Sequence, residues 1–316
     1  MTTRAFVFPG QGSQTIGMGK ALAETYPEAR AVFDEVDQAL GQNLSKIMFD
    51  GPDATLRLTE NAQPALMAVS MAVVKILEKN GITIAKNSAF VAGHSLGEYA
   101  ALCAAGSLSI TDTAQLLKTR GKAMQQAVPV GEGAMAAILG VSFDDAKEVA
   151  ELARQGAVCD VANDNAPGQV VVSGHAAAIE RAIELAKAKG AKRALLLPVS
   201  APFHCALMSP AAEAMEAALA MVAMQAPCVP LVSNVLATPI SDPTEIRRRL
   251  VEQVTGMVRW TQSVTWLATD GGVTEMFELG AGKVLTGLAK RINRDITAGA
   301  VGTPEEIDAL IAALSS

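Results

Sequence analysis

Residues 90–105, FVAGHSLGEYAALCAA, constrain the fold more than any other stretch. Phe90, Val91 and Ala92 read as a short buried strand, and Gly93-His94-Ser95-Leu96-Gly97 follows as a G-x-S-x-G. Tyr99, Leu102 and Ala105 then continue on helical spacing to Gly106. A strand that turns so sharply into a helix strains its central residue and pushes that side chain out above the sheet. Glycines two positions to either side are required, because side chains there collide with strand and helix. The N–H groups of the helix start point at the same place, ready for negative charge. Ser95 is thereby presented as a nucleophile. A Gly-rich packing turn is the alternative that the string alone leaves open.

The chain around this stretch alternates strands and helices, which implies an α/β fold with a parallel sheet covered on both faces. A strand over 5–8 enters the loop Pro9-Gly10-Gln11-Gly12-Ser13-Gln14, and a helix follows near 18–25. This glycine-rich loop fits neither nucleotide pattern: Thr15 stands where G-x-G-x-x-G needs its third glycine. Gln14 stands where the P-loop pattern ending at Gly19-Lys20 needs its first. Gln63-Pro64 reads as a helix start and Asn80-Gly81 as its end. Strands over 230–233 and 275–279 and helices over 245–255, 261–270 and from Pro304 complete the pattern.

Residues 131–198 have a different texture. Strand 134–139, helix 144–155, strands 157–162 and 169–173, helix 176–189 and strand 193–197 give the β-α-β-β-α-β order of a ferredoxin-like unit. It is self-contained, so it reads as a small domain inserted into a larger one formed by 1–130 and 199–316. Asn163, Asp164 and Asn165 fall at one of its strand ends.

Three further residues invite chemistry. On the helix 112–126, begun by a Ser109-x-x-Asp112 cap, Leu116, Leu117, Ala123, Met124 and Ala127 share one arc. Arg120 is the only charge in that arc, so it must be paired or must line a cavity. It is either a structural arginine bonded to a buried carboxylate or carbonyls, or a clamp for a substrate carboxylate. Among the three histidines, His94 is locked in the turn and His175 reads as a surface residue of the insert. His204 ends the stiff loop Pro198-Val199-Ser200-Ala201-Pro202-Phe203 and is left as the base for Ser95, or else as a satisfied structural histidine.

Composition narrows the partners. The chain of 316 residues is 50% hydrophobic with a net charge of −6, enough for a large core. It has no basic run to meet nucleic acid or an anionic membrane. Cys103, Cys159, Cys205 and Cys228 form no C-x-x-C pair and read as reduced thiols of a cytoplasmic protein. A strand begins almost at once, which argues against a signal peptide, and no apolar run approaches the ~20 residues of a membrane span.

Taken together, these motifs resemble the malonyl-CoA:acyl carrier protein transacylase family over essentially the whole chain. The resemblance is carried by FPGQGSQ at 8–14, QPAL at 63–66, GHSLGEYAAL at 93–102 and the KTRGKAMQ run around Arg120. PVSAPFHCALM at 198–208, SNV at 233–235 and ELGAGKVLTG at 278–287 extend it. It implies an α/β-hydrolase-like large domain, the ferredoxin-like insert, and an active site in the cleft between them. Ser95 would be the nucleophile, His204 its base, and the Gln253 main-chain carbonyl the group that holds His204. The N–H groups of Gln11 and Leu96 would form the oxyanion hole. Arg120 would pair with the malonyl carboxylate, with His94, Asn163, Met124 and Phe203 around it. The implied partners are a coenzyme A thioester and acyl carrier protein, with no metal or redox cofactor and a monomeric enzyme. Two rival readings remain: a serine hydrolase using Asp160 or Asp164 as its acid, and a non-catalytic carrier-docking module. A polyketide pathway served by the same chemistry is a third.

Overall fold

The computed structural model describes residues 2–314. Among them the chain forms ten strands: β1 (Arg4–Phe8), β2 (Phe90–Gly93), β3 (Gly133–Leu139), β4 (Cys159–Ala166), β5 (Gln169–His175), β6 (Arg193–Leu196), β7 (Leu231–Val232), β8 (Pro239–Ile240), β9 (Glu275–Leu279) and β10 (Thr297–Val301). Six of them build one sheet in the order β10-β9-β1-β2-β7-β8, parallel except for the antiparallel edge strand β8. β1 is central and fully buried from Ala5 to Phe8, as an apolar run covered on both faces must be. Parallel register pairs Phe8 with Gly93 and Val91 with Leu231. The loops after β1, β2 and β7 therefore emerge at one edge, where α/β sheets place their ligands.

The helix Thr59–Lys79 is buried on nearly all sides, between the sheet and the helices Pro27–Leu40 and Ile110–Gln126. It begins before Gln63-Pro64, so Pro64 lies inside the helix rather than opening it. The position is tolerable because the first N–H groups of a helix lack intrahelical partners, and a proline just beyond them removes only one bond. The helix at 18–25 is shorter than expected, starting at Lys20.

Four strands make the second sheet, antiparallel in the order β4-β5-β3-β6, and the helices Phe143–Arg154 and Ala176–Ala188 pack against it. Its own core includes Ala136, Ile138, Val172, Val149 and Ile179. The β-α-β-β-α-β order is as read from the sequence, but two details differ. β4 continues to Ala166, so Asn163, Asp164 and Asn165 lie within the strand and not at its end. Register shifts on either side of Asn163-Asp164 bulge it, and its backbone bonds Val258 through Ala162 O and Asp164 N. Three polar residues in a row signal a loop only when no second partner strand meets them. β5 likewise extends to His175, which is half-buried and accepts a hydrogen bond from Val158 N at Nδ1.

No helix among the described residues is long and apolar enough to cross a membrane. The cysteines are all free thiols; Cys103, Cys159 and Cys205 are buried and Cys228 is exposed.

Candidate active site

Ser95 stands at the turn after β2 with φ at 54°, the left-handed conformation that a non-glycine residue adopts only when its surroundings impose it. A Cβ at Gly93 would run into the Gly97 carbonyl, and one at Gly97 into the Phe8 carbonyl of the central strand. Asn234, after β7, ties the turn from beneath. Its Oδ1 accepts from Ser95 N at 2.7 Å and its Nδ2 donates to Gly93 O at 2.7 Å.

The loop that the two prolines stiffen brings in His204, also at positive φ, 58°. Its Nε2 lies 2.7 Å from Ser95 Oγ. Its Nδ1 lies 2.8 Å from Gln253 O and 3.1 Å from Gly256 O. Both Nδ1 partners are carbonyls, which only accept, so the proton is on Nδ1 and Nε2 offers its lone pair to the serine. Burial, and then the charge of Arg120, lower the His204 pKa to about 3, keeping the imidazole neutral. Asp160 bonds Arg154 and the Ala206 N–H, while Asp164 bonds Thr261. Neither carboxylate orients His204.

Arg120 is 1% exposed. Nη1 donates to Gln63 Oε1 at 2.8 Å; Nη2 donates to Gln253 Oε1 at 2.7 Å and to Ser95 Oγ at 3.1 Å. Its Nε has no hydrogen-bond partner, and the guanidinium carbon stands 5.7 Å from the Tyr99 ring centroid. Both amide oxygens and the hydroxyl are neutral, so the cation is desolvated without a contacting carboxylate. Burial lowers its pKa accordingly. The nearby acid is Glu98, fully buried, whose Oε1 accepts from Asn234 N at 2.9 Å and Oε2 from Gln253 Nε2 at 2.6 Å. Burial pushes Glu98 up to about 7, against the pull of these donors and of Arg120.

These groups open onto a cavity of about 520 Å³. Ser95, His204, Arg120, Gln11, Leu96, His94, Asn163, Met124 and Phe203 all line it, so the structure gathers those sequence-named residues in one place. Gln253 sits behind them, fully buried. Among the described residues the N–H groups of Gln11 and Leu96 meet no acceptor. The Gln11 side chain instead accepts from Thr59 Oγ1, which fixes the loop after β1 to the long helix. His94 donates from Nε2 to Asn165 Oδ1 at 2.7 Å, linking the turn to β4, and burial lowers its pKa. Glu98, Asn234, Asn165 and Gln63 were not singled out as site residues by sequence. Glu98, Asn234 and Gln63 fall within motifs, but nothing local in them shows which distant groups they bond.

A chemical capability follows from the geometry. A hydroxyl faces a neutral imidazole, residues with free N–H groups line the same cavity, and a cation with no carboxylate in contact shares it.

The family described as "Acyl transferase domain" matches residues 5–280. The malonyl CoA-acyl carrier protein transacylase of Bacillus subtilis (strain 168) is 47% identical over 99% of this chain and 98% of its own. The solved acyl-carrier-protein-S-malonyltransferase of Bartonella henselae superposes with a TM-score of 0.97 at 58% identity, covering 100% of both chains. A type II PKS acyl-carrier protein in complex with its malonyl-transacylase gives 0.95 at 40% identity, covering 99% of this chain and 100% of that one.

Proposed function

The chain belongs to the malonyl CoA-acyl carrier protein transacylase family, within the acyl transferase domains, and from that premise we propose the reaction and the part each residue takes in it. It transfers malonyl from malonyl-CoA to the phosphopantetheine thiol of an acyl carrier protein, through a malonyl ester on Ser95, and so supplies fatty-acid synthesis. The observation that carries this reading is that His204 Nε2 and Arg120 Nη2 both converge on Ser95 Oγ, at 2.7 and 3.1 Å.

The malonyl carboxylate pairs with Arg120, whose planar fork suits it and whose neutral partners leave the positive charge uncompensated. That pairing offsets the Arg120 charge and lets the His204 pKa rise from its depressed value toward a useful base. His204 takes the Ser95 proton as Oγ attacks the thioester carbonyl. The Gln11 and Leu96 N–H groups receive the oxyanion, each such donor contributing about 3 kcal/mol. The carbon–sulfur bond breaks, His204 returns its proton to the departing coenzyme A thiol, and the ester remains. The carrier thiol then gives its proton to His204 and attacks the ester carbonyl; the carbon–oxygen bond breaks and His204 returns that proton to Ser95 Oγ. These residues complete the cycle without a cofactor. The residues given a part in the reaction all belong to one chain, as a working monomer requires, and four free cysteines suit the reducing cytoplasm.

The partner named for the relatives supports an acyl carrier protein here. The neighbour bound to a type II PKS carrier favours keeping a polyketide carrier as the second reading, with the same chemistry. Initial rates with malonyl-CoA and holo carrier protein test the proposal. Ping-pong transfer gives parallel double-reciprocal lines; intersecting lines, or release of malonate faster than transfer, would reject it.

A further inference from the structure

Glu98 is fully buried on the helix Gly97–Ala104, one turn beyond Ser95, and takes no part in the steps above. Its two oxygens have different tasks. Oε1 accepts from the Asn234 main-chain N–H at 2.9 Å, and Oε2 accepts from Gln253 Nε2 at 2.6 Å. The same Nε2 donates to the Ser95 carbonyl at 2.9 Å. With its nitrogen committed to two acceptors, the Gln253 amide can turn only its oxygen toward Arg120, where it accepts from Nη2 at 2.7 Å. We propose that Glu98 is a positioning residue for acyl-group selection: by setting the polarity of the Gln253 amide, it holds the Arg120 guanidinium beside Ser95. This inference rests on the malonyl-transfer reading.

The arrangement answers a conflict at Arg120. A carboxylate in direct contact would stabilise the buried cation but would also compete with an incoming substrate carboxylate for it. An amide interposed between Glu98 and Arg120 keeps the carboxyl group close, while the atoms that touch the guanidinium stay neutral. It also gives the Gln253 side chain a task distinct from that of its main-chain carbonyl on His204.

Glu98→Gln is the test. The Asn234 N–H is a fixed donor, so the new amide must give that group its oxygen and present its NH₂ to Gln253. Gln253 then either keeps its NH₂ against that new NH₂, donor against donor, or turns over, which sets its NH₂ against Arg120 and its oxygen against the Ser95 carbonyl; either way the amide no longer holds the guanidinium firmly. The kcat/KM for malonyl-CoA in forming the acyl-enzyme should fall by about tenfold or more, mainly through KM, because the clamp grips the carboxylate in ground and transition states alike. Acetyl-CoA, with no carboxylate, should lose less than about threefold. If Glu98→Gln does not fold, Glu98→Asp, whose shorter side chain draws the carboxylate back from Gln253, is read by the same criteria. Equal losses for the two substrates, or an unchanged malonyl/acetyl ratio, overturn the inference. Arg120→Ala separates the two levels. If it shifts the ratio and neither other variant does, the Glu98 inference alone falls; if it too leaves the ratio unchanged, both fall.

Discussion

Arg120→Ala should cut acylation by malonyl-CoA by about 10²–10⁴-fold while acetyl-CoA changes little. A carboxylate on this guanidinium would gain two charge-assisted hydrogen bonds in a dry chamber, each worth about 1.5–3 kcal/mol. Their sum, about 3–6 kcal/mol, converts to that range at about 1.4 kcal/mol per factor of ten. Stability should move far less. The variant loses the bonds to Gln63, Gln253 and Ser95 but also the cost of a desolvated cation with no contacting carboxylate. A second consequence concerns the base. Arg120 is the second cause, after burial, of the depressed His204 pKa, so its removal should raise that pKa. The acid limb of acetyl transfer should then move to higher pH. Quenched-flow acylation with each thioester, across mildly acidic to neutral pH, measures both effects. An unchanged malonyl/acetyl ratio would refute the clamp; an unmoved acid limb would refute the coupling to His204.

Asn234→Ala should destabilise the protein by about 2–4 kcal/mol, since it strips partners from the Ser95 N–H and the Gly93 carbonyl, and should lower acylation of both thioesters together. Urea titration and acylation rates check it. Gly97→Ala should cost at least about 3 kcal/mol or abolish soluble expression, because the new Cβ meets the Phe8 main chain and neither strand nor helix can give way. In Glu98→Gln, stability against pH should steepen. His204, depressed to about 3 from 6.5, loses stability as pH falls through that window, because the unfolded chain binds the extra proton. Glu98, raised to about 7 from 4.5, acts oppositely: the folded chain holds the extra proton, so its contribution is lost as pH rises through its window. The two slopes oppose where the windows overlap, and removing Glu98 should expose the His204 slope of up to about 1.4 kcal/mol per pH unit. Denaturant unfolding at several pH values would show it; a slope unchanged from wild type would contradict it.

What was legible in the sequence was local. The nucleophile turn declares itself because its glycines are required within a few residues of Ser95, where the Gly97 and Phe8 main chains leave no room for a Cβ. Arg120 is visible because one charge in an apolar arc violates helix amphipathicity wherever the helix packs. The insert is visible because its strand–helix order is complete within one stretch of chain. The helix Pro27–Leu40 also carries a local sign, a proline at its start and Gly41 at its end. The supports of the site were hidden for a different reason. Asn234 reaches the turn across 139 residues, and Glu98 meets Gln253 across 155. No periodicity links such positions; only parallel pairing of β2 with β7 brings Asn234 under Ser95. Asn163–Asn165 were misplaced because pairing with the Val258 segment, which makes polar residues suit a strand, lies about a hundred positions away.

Intact-protein mass spectrometry after brief mixing with malonyl-CoA, and then with holo acyl carrier protein, tests the central claim most directly. The account predicts one malonyl adduct on the wild-type chain, absent from Ser95→Ala and discharged by the carrier far faster than by water. An adduct that survives Ser95→Ala, or that water removes as fast as the carrier does, would contradict it.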